Sequence, residues 1–311
     1  MSNLFKSRKF AYVTMTLLVF AWGYEYVAAK AALETFSSFV LVGLKYIIGC
    51  VILVTAKCII DRRFVFKLRD LPILVTCSIF GELLYFAFEY EAMDYLPVSV
   101  ITIVLAFVPA LSVITELVLF KRKANTLIVG GIIVGIIGVG LVIGADFSSL
   151  FSGSAIGYLL IIGAVFSWNI YNFLTDKLGD NYKPLDLTVY QTICTTLLSL
   201  PFLLHDLPPL SAFTPEVIWA LLYLGIICEC LGYIILVNGI DKLGPTPCAI
   251  FSNMLPVTST FFAWLCLGEH IQGLQVIGGI IVIASGVVVI REKQRLSDVQ
   301  LSHQADNKER Q

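Results

Sequence analysis

The chain has 311 residues, 58% of them hydrophobic and 14% charged, with a mean hydropathy of +0.88 and a net charge of −1. A soluble globular chain carries roughly 25% charged residues, so this one has too little polar surface to cover a core in water. The balanced charge makes no case for a nucleic-acid partner, and the position of the charges is more informative than their sum.

The apolar residues fall into ten runs, each near the ~20 residues a helix needs to cross a bilayer. The first covers about 10–29 and follows Lys6, Arg8 and Lys9. It is longer than a signal-peptide core, is interrupted by Trp22-Gly23-Tyr24-Glu25 and precedes further spans, so a retained helix is expected. Trp22, Glu25, Tyr26 and Ala29 share one of its faces at i, i+3, i+4, i+7 spacing. The second span, 36–60, carries Lys45. The third, 71–91, repeats the striping with Glu82, Tyr85, Phe86 and Glu89. The fourth, 97–120, holds Pro109 in mid-span and Glu116 further on. The fifth, 126–144, contains Gly131-xxx-Gly135 and Gly140-xxx-Gly144, spacings that let helices approach closely. Tight packing within the chain is the favoured use, and a homodimer is left open.

The sixth span, 155–175, places Trp168, Tyr171, Asn172 and Thr175 on one face. The seventh covers 184–204. The eighth, 214–238, sets Glu229 and Tyr233 at i, i+4. The ninth, 245–267, presents Ser252, Asn253 and Met254 just before Pro256. The tenth, 273–290, leads into a polar tail taken as disordered beyond Leu301.

With the N-terminus cytoplasmic, Arg62, Arg63, Lys67, Arg69, Lys121, Arg122, Lys123, Lys177, Lys183, Lys242, Arg291, Lys293 and Arg295 all join Lys6, Arg8 and Lys9 on that side. The outer loops then hold Lys30 with Glu34, Glu91, Asp94, Asp146, Asp206, Glu216 and Glu269. This asymmetry predicts that both termini are cytoplasmic. At an offset of 147 residues, Lys30 falls on Lys177, Glu82 on Glu229, Asp94 on Asp241 and Pro109 on Pro256, with Trp22 and Trp168 one residue out of step. Five helices per half make the second repeat start on the opposite side. The expected fold is therefore an all-α integral membrane protein of ten transmembrane helices in two inverted five-helix repeats. The expected divisions are a cytoplasmic N-terminus at 1–9, repeats at 10–145 and 155–290, and a polar cytoplasmic tail at 291–311.

Several stretches carry a family likeness: Phe20-Ala21-Trp22-Gly23, Ala92-Met93-Asp94-Tyr95-Leu96-Pro97, Ala220-Leu221-Leu222-Tyr223-Leu224-Gly225, Gly239-Ile240-Asp241-Lys242-Leu243-Gly244-Pro245, Leu255-Pro256-Val257, Leu265-Cys266-Leu267-Gly268-Glu269 and Gly278-Gly279. Over roughly 10–290 the chain resembles the drug/metabolite transporter superfamily, and within it the EamA-type exporters. The resemblance implies a central cavity formed by helices one, three, four, six, eight and nine. Two positions depart from the family pattern: Arg122 stands where a glutamate often follows the fourth helix, and Lys45 where helix two often carries arginine.

Ionisable side chains at mid-bilayer cost at least ~2.5 kcal/mol and normally face a cavity or a partner. The candidate substrate-binding residues are thus Trp22, Glu25, Tyr26, Glu82, Tyr85, Trp168, Tyr171, Asn172, Glu229, Tyr233 and Asn253. Aromatic faces suit a flat or cationic solute, and the glutamates suit an amine or a coupling proton. The alternative makes the tryptophans interface anchors, with the glutamates either partners of Lys45 or close to the outer surface. Pro109 and Pro256 each remove a helical hydrogen bond and are candidate hinges, or plain packing kinks.

There is no GxxxxGK[ST], HExxH or GxSxG motif, and His205, His270 and His303 are scattered. No catalytic residues, metal or cofactor are expected. The eight cysteines lie mostly within apolar runs and read as free thiols. The expected function is a secondary active transporter of a multi-pass plasma or inner membrane protein type, exporting or exchanging a small polar metabolite (amino acid, amine or aromatic solute) by alternating access. The alternative is a polytopic membrane enzyme acting on a lipid-linked substrate, which short loops and symmetric halves argue against. Inverted repeats also argue against a channel.

Overall fold

The computed structural model describes residues 7–60, 63–119, 125–144, 154–179 and 181–309. Lys6, Arg62, Lys121, Arg122, Lys123 and Asp146, used above for orientation, lie outside the described residues. No strand occurs among the described residues.

The helices are α1 (Arg8–Leu33), α2 (Ser38–Ile60), α3 (Leu68–Ala92), α4 (Val98–Val118), α5 (Thr126–Gly144), α6 (Ser154–Gly179), α7 (Pro184–Asp206), α8 (Pro215–Leu243), α9 (Thr246–Leu267) and α10 (Gly273–Glu309). Among the described residues, nine helices, α2 to α10, are long and apolar enough to cross a membrane. α1 is 26 residues long but carries Arg8, Lys9, Glu25 and Lys30. The final helix differs from expectation. The backbone stays helical through Glu309 where disorder was expected beyond Leu301. The polar stretch after Ile290 contains no Pro or Gly and is rich in Arg, Lys, Glu, Gln and Leu, which favour a helix whether or not it is apolar.

Four helices are locally irregular, and they form matched pairs. α3 contains a π-helical stretch at Ser78–Leu84 around Glu82, and α8 one at Tyr223–Leu231 around Glu229. α4 breaks at Ala106 and Phe107, and α9 at Asn253 and Met254. Each break lies two or three residues before a proline, Pro109 or Pro256. A proline has no N–H to give the carbonyl four residues back, and its ring crowds that carbonyl. The chain tightens there, with Phe107 N–H donating to Val104 O and Met254 N–H to Phe251 O.

Packing follows the same exchange of halves. α1 packs on α8 and α9, and α6 packs on α3 and α4; α2 packs on α7 and α8, and α7 on α2 and α3. α5 and α10 pair outside the other helices' main contacts. Their backbones meet at glycines: a Cβ on Gly138 would lie 3.0 Å from the Gly278 carbonyl oxygen, and one on Gly278 would lie 2.7 Å from that of Gly138. Gly131 and Gly135 of the first small-residue motif also face α10, near Val289 and Ser285, whereas Gly140 faces open space.

Two sequence motifs gain a local explanation. Gly23 of the Phe20–Gly23 stretch leaves room for Thr258 of α9, whose hydroxyl donates to Val19 O at 2.8 Å. Gly268 ends α9 in the left-handed region (φ 68°). Glu269 then accepts the Val98 N–H at 3.0 Å and the Ser99 N–H at 3.4 Å, with Lys30 Nζ 3.9 Å away. An acidic side chain is favourable at the otherwise unsatisfied N-terminus of α4.

Candidate solute cavity

A cavity of about 450 Å³ opens where α1, α2, α3, α4, α6, α8 and α9 meet. Ten of the eleven candidate residues line it: Trp22, Glu25, Tyr26, Tyr85, Trp168, Tyr171, Asn172, Glu229, Tyr233 and Asn253. Pro109 and Pro256 line it as well, so both helix breaks lie beside the cavity. Glu82 does not. It is buried behind the wall, where the Thr195 hydroxyl of α7 donates to its Oε2.

The aromatic wall is continuous. The Trp168 ring lies 4.7 Å from that of Tyr85 and 4.9 Å from that of Tyr171, centroid to centroid. The Trp22 indole N–H donates to Cys228 O at 3.3 Å, fixing the ring against α8 and away from a helix end. Asn253 donates to Ile283 O at 3.0 Å, leaving its buried side-chain oxygen without a partner among the described residues.

The charged groups form two clusters. In the first, Lys45 Nζ donates to Glu25 Oε1 at 2.9 Å and lies 3.6 Å from Glu229 Oε2. It also lies 3.3 Å from the Tyr90 hydroxyl and 3.4 Å from the Phe86 ring centroid. The Tyr90 hydroxyl donates to Glu25 at 3.1 Å. In the second, Glu89 accepts from the Tyr26 hydroxyl at 2.6 Å and the Tyr85 hydroxyl at 3.4 Å. Glu25 and Glu229 lie within ion-pair distance of Lys45, and both line the cavity. Glu116 lies apart from this cluster, with Lys293 donating to it at 2.6 Å.

Lys45, Phe86 and Glu89 line the cavity but are absent from the candidate list. Glu89 and Phe86 stand on the stripe with Tyr85, and that stripe is the signal that finds them. Lys45 is one of two lysines in an otherwise apolar span, with Lys57, and its intramembrane position is the local sign that finds it.

The EamA-like transporter family profile matches residues 9–144 and again residues 155–291. The chain belongs to the EamA-like transporter family. It is thus a multi-pass membrane protein of the drug/metabolite transporter superfamily, and its natural partners are a bilayer and a small-molecule substrate. Among its relatives, an uncharacterized transporter of Archaeoglobus fulgidus is 29% identical over 223 residues, covering 71% of this chain and 76% of the relative. A probable amino-acid metabolite efflux pump of Salmonella typhimurium is 26% identical over 289 residues, covering 89% and 93%. A probable terminal-alkyne amino-acid exporter of Streptantibioticus cattleyicolor is 22% identical over 227 residues, covering 73% and 75%. A solved crystal structure shares the fold at a TM-score of 0.66 and 18% identity, covering 93% of this EamA-like chain and 99% of its own.

Proposed function

We propose that this EamA-like protein is a secondary transporter that exports or exchanges a small solute bearing an ammonium group, such as an amino acid or an aromatic amine. The observation that carries this reading is the charge balance of the cavity. Glu25, Glu89 and Glu229 line it with a single lysine, beside the rings of Trp22, Tyr85, Trp168, Tyr171 and Tyr233. An ammonium leaving water needs a carboxylate and gains from a ring face. The excess of acid over base therefore favours a cationic group, and the aromatic wall favours a flat or apolar remainder. The amino-acid exporters among the relatives support the same solute class.

The remaining parts of the reading follow from the sequence pattern. α1 is the tenth span, both termini are cytoplasmic, and the repeats at 10–145 and 155–290 are inverted. The protein resides in the cell (plasma or inner) membrane, and the scheme is the same for a single chain or a homodimer. Solute reaches the cavity from either side as α4 and α9 hinge beside Pro109 and Pro256. The matched pairing of helices across the halves supports alternating access. Glu82 is buried without a cation partner among the described residues and is the candidate holder of a coupling proton.

The test is flux of radiolabelled phenylalanine, phenethylamine, a nucleoside and a sugar phosphate in proteoliposomes, with and without a pH gradient. Saturable flux of the amine-bearing solutes, reduced at least tenfold in Glu25→Gln, is the expected result. Equal flux of the nucleoside or the sugar phosphate would overturn the solute class.

A further inference from the structure

Lys45 is the only lysine or arginine among the described residues lining the cavity. Its ammonium occupies the kind of seat an organic ammonium would take: a carboxylate at 2.9 Å, a phenol at 3.3 Å and a ring face at 3.4 Å. The two acids beside it are not equivalent. Glu25 retains 12% side-chain exposure and carries hydrogen bonds from Lys45 and Tyr90. Glu229 is 1% exposed, and both of its carboxylate oxygens are buried without a hydrogen-bond partner among the described residues. Unmade hydrogen bonds on a buried carboxylate are costly. Lys45 Nζ, 3.6 Å away, is the cation placed to supply one.

We propose that Lys45 is a counter-ion with two positions, on Glu25 while the cavity is empty and on Glu229 once an ammonium-bearing solute has taken Glu25. This rests on the solute class proposed above and adds a division of labour: Glu25 binds the solute, and Glu229 receives the displaced lysine. The lysine stem has enough rotatable bonds for the short transfer, and Gly49 lets the Glu229 stem lie close against α2. The exchange replaces one ammonium by another at Glu25, so the seat needs no rebuilding. It also brings the group of Glu25, Glu229 and Lys45 from one net negative charge to neutrality when both acids are ionised. The empty and loaded carriers then differ in buried charge as well as in contents.

A double-mutant cycle tests this, read by quenching of tryptophan fluorescence, since Trp22 and Trp168 line the cavity. Phenethylamine is the probe, and phenethyl alcohol is its uncharged control. Full-length wild type, Glu229→Gln, Lys45→Met and the double variant are titrated after thermal melts establish that each is folded. Lys45→Gln replaces Lys45→Met if the latter does not fold. Glu229→Gln is expected to weaken phenethylamine binding about tenfold in the presence of Lys45 and to change it less than about twofold in its absence. Equal weakening in both backgrounds would overturn the proposal, because Glu229 would then contact the solute itself. No weakening in either would also overturn it. Wild-type protein that binds the alcohol as tightly as the amine, or binds neither, would remove the ammonium reading and the proposal with it. Amine selectivity with an additive cycle would remove the lysine transfer alone.

Discussion

Helix α2 buries two lysines twelve residues apart, Lys45 and Lys57, each 1% exposed. Lys57 pairs with the buried Asp186 of α7, with the Phe64 ring 5.8 Å from its ammonium. It does not line the cavity. Lys45 has two carboxylates, a phenol and a ring around it, and it does line the cavity. The same residue type on one helix thus makes an ion pair apart from the cavity in one place and one on its wall in the other. A pair apart from the cavity holds helices together, whereas a pair on the wall lies within reach of a solute.

The largest effect that separates the two is on stability. Lys57→Met leaves Asp186 as an uncompensated buried charge, and a loss of about 3–5 kcal/mol is expected in denaturant unfolding. Solute affinity of the folded fraction should be unchanged, because neither residue reaches the cavity. Lys57→Met combined with Asp186→Leu should recover most of that loss; if it does not, the uncompensated Asp186 charge is not what destabilises Lys57→Met.

Gly278→Val belongs to the same structural class and should cost about 1–3 kcal/mol, since its side chain must enter the α5–α10 seam. It too should leave affinity alone, as measured by phenethylamine titration. A cavity substitution reverses the pattern. Trp168→Leu removes a ring face while keeping an apolar side chain, and should weaken an aromatic ammonium solute by about 1–2 kcal/mol. Glu82→Gln should have the smallest stability effect, within about 1 kcal/mol, because an amide oxygen still accepts from Thr195. Its flux should no longer respond to an imposed pH gradient; a wild-type response would remove Glu82 as the proton holder.

The legible part of the site is the part written in ordinary helical periodicity. Tyr85 and Glu89 on α3, and Trp168, Tyr171 and Asn172 on α6, read as stripes in the sequence and stand together on the cavity wall. Glu82 belongs to the same sequence stripe yet lies behind the wall. The π-helical stretch Ser78–Leu84 intervenes, and its wider turn shifts Glu82 out of register with Tyr85 and Glu89. A count based on 3.6 residues per turn has no means of seeing that. Lys45 is visible in the sequence as a partner for some glutamate, but which ones is not: they come from α1 and α8, and only packing brings them together. The helix breaks were visible as Pro109 and Pro256. The helical tail is not legible in the same way, because polar composition marks disorder and an exposed helix alike.

The two broken helices give the cavity something its side chains do not. Leu105 and Ser252, four residues before Pro109 and Pro256, both line it, and neither carbonyl can receive the usual N–H from the proline. The breaks are properties of the main chain, so substitution of Leu105 or Ser252 themselves leaves them in place. Any variant that keeps Pro109 and Pro256 keeps irregular backbone on both sides of the cavity, whatever its side chains become.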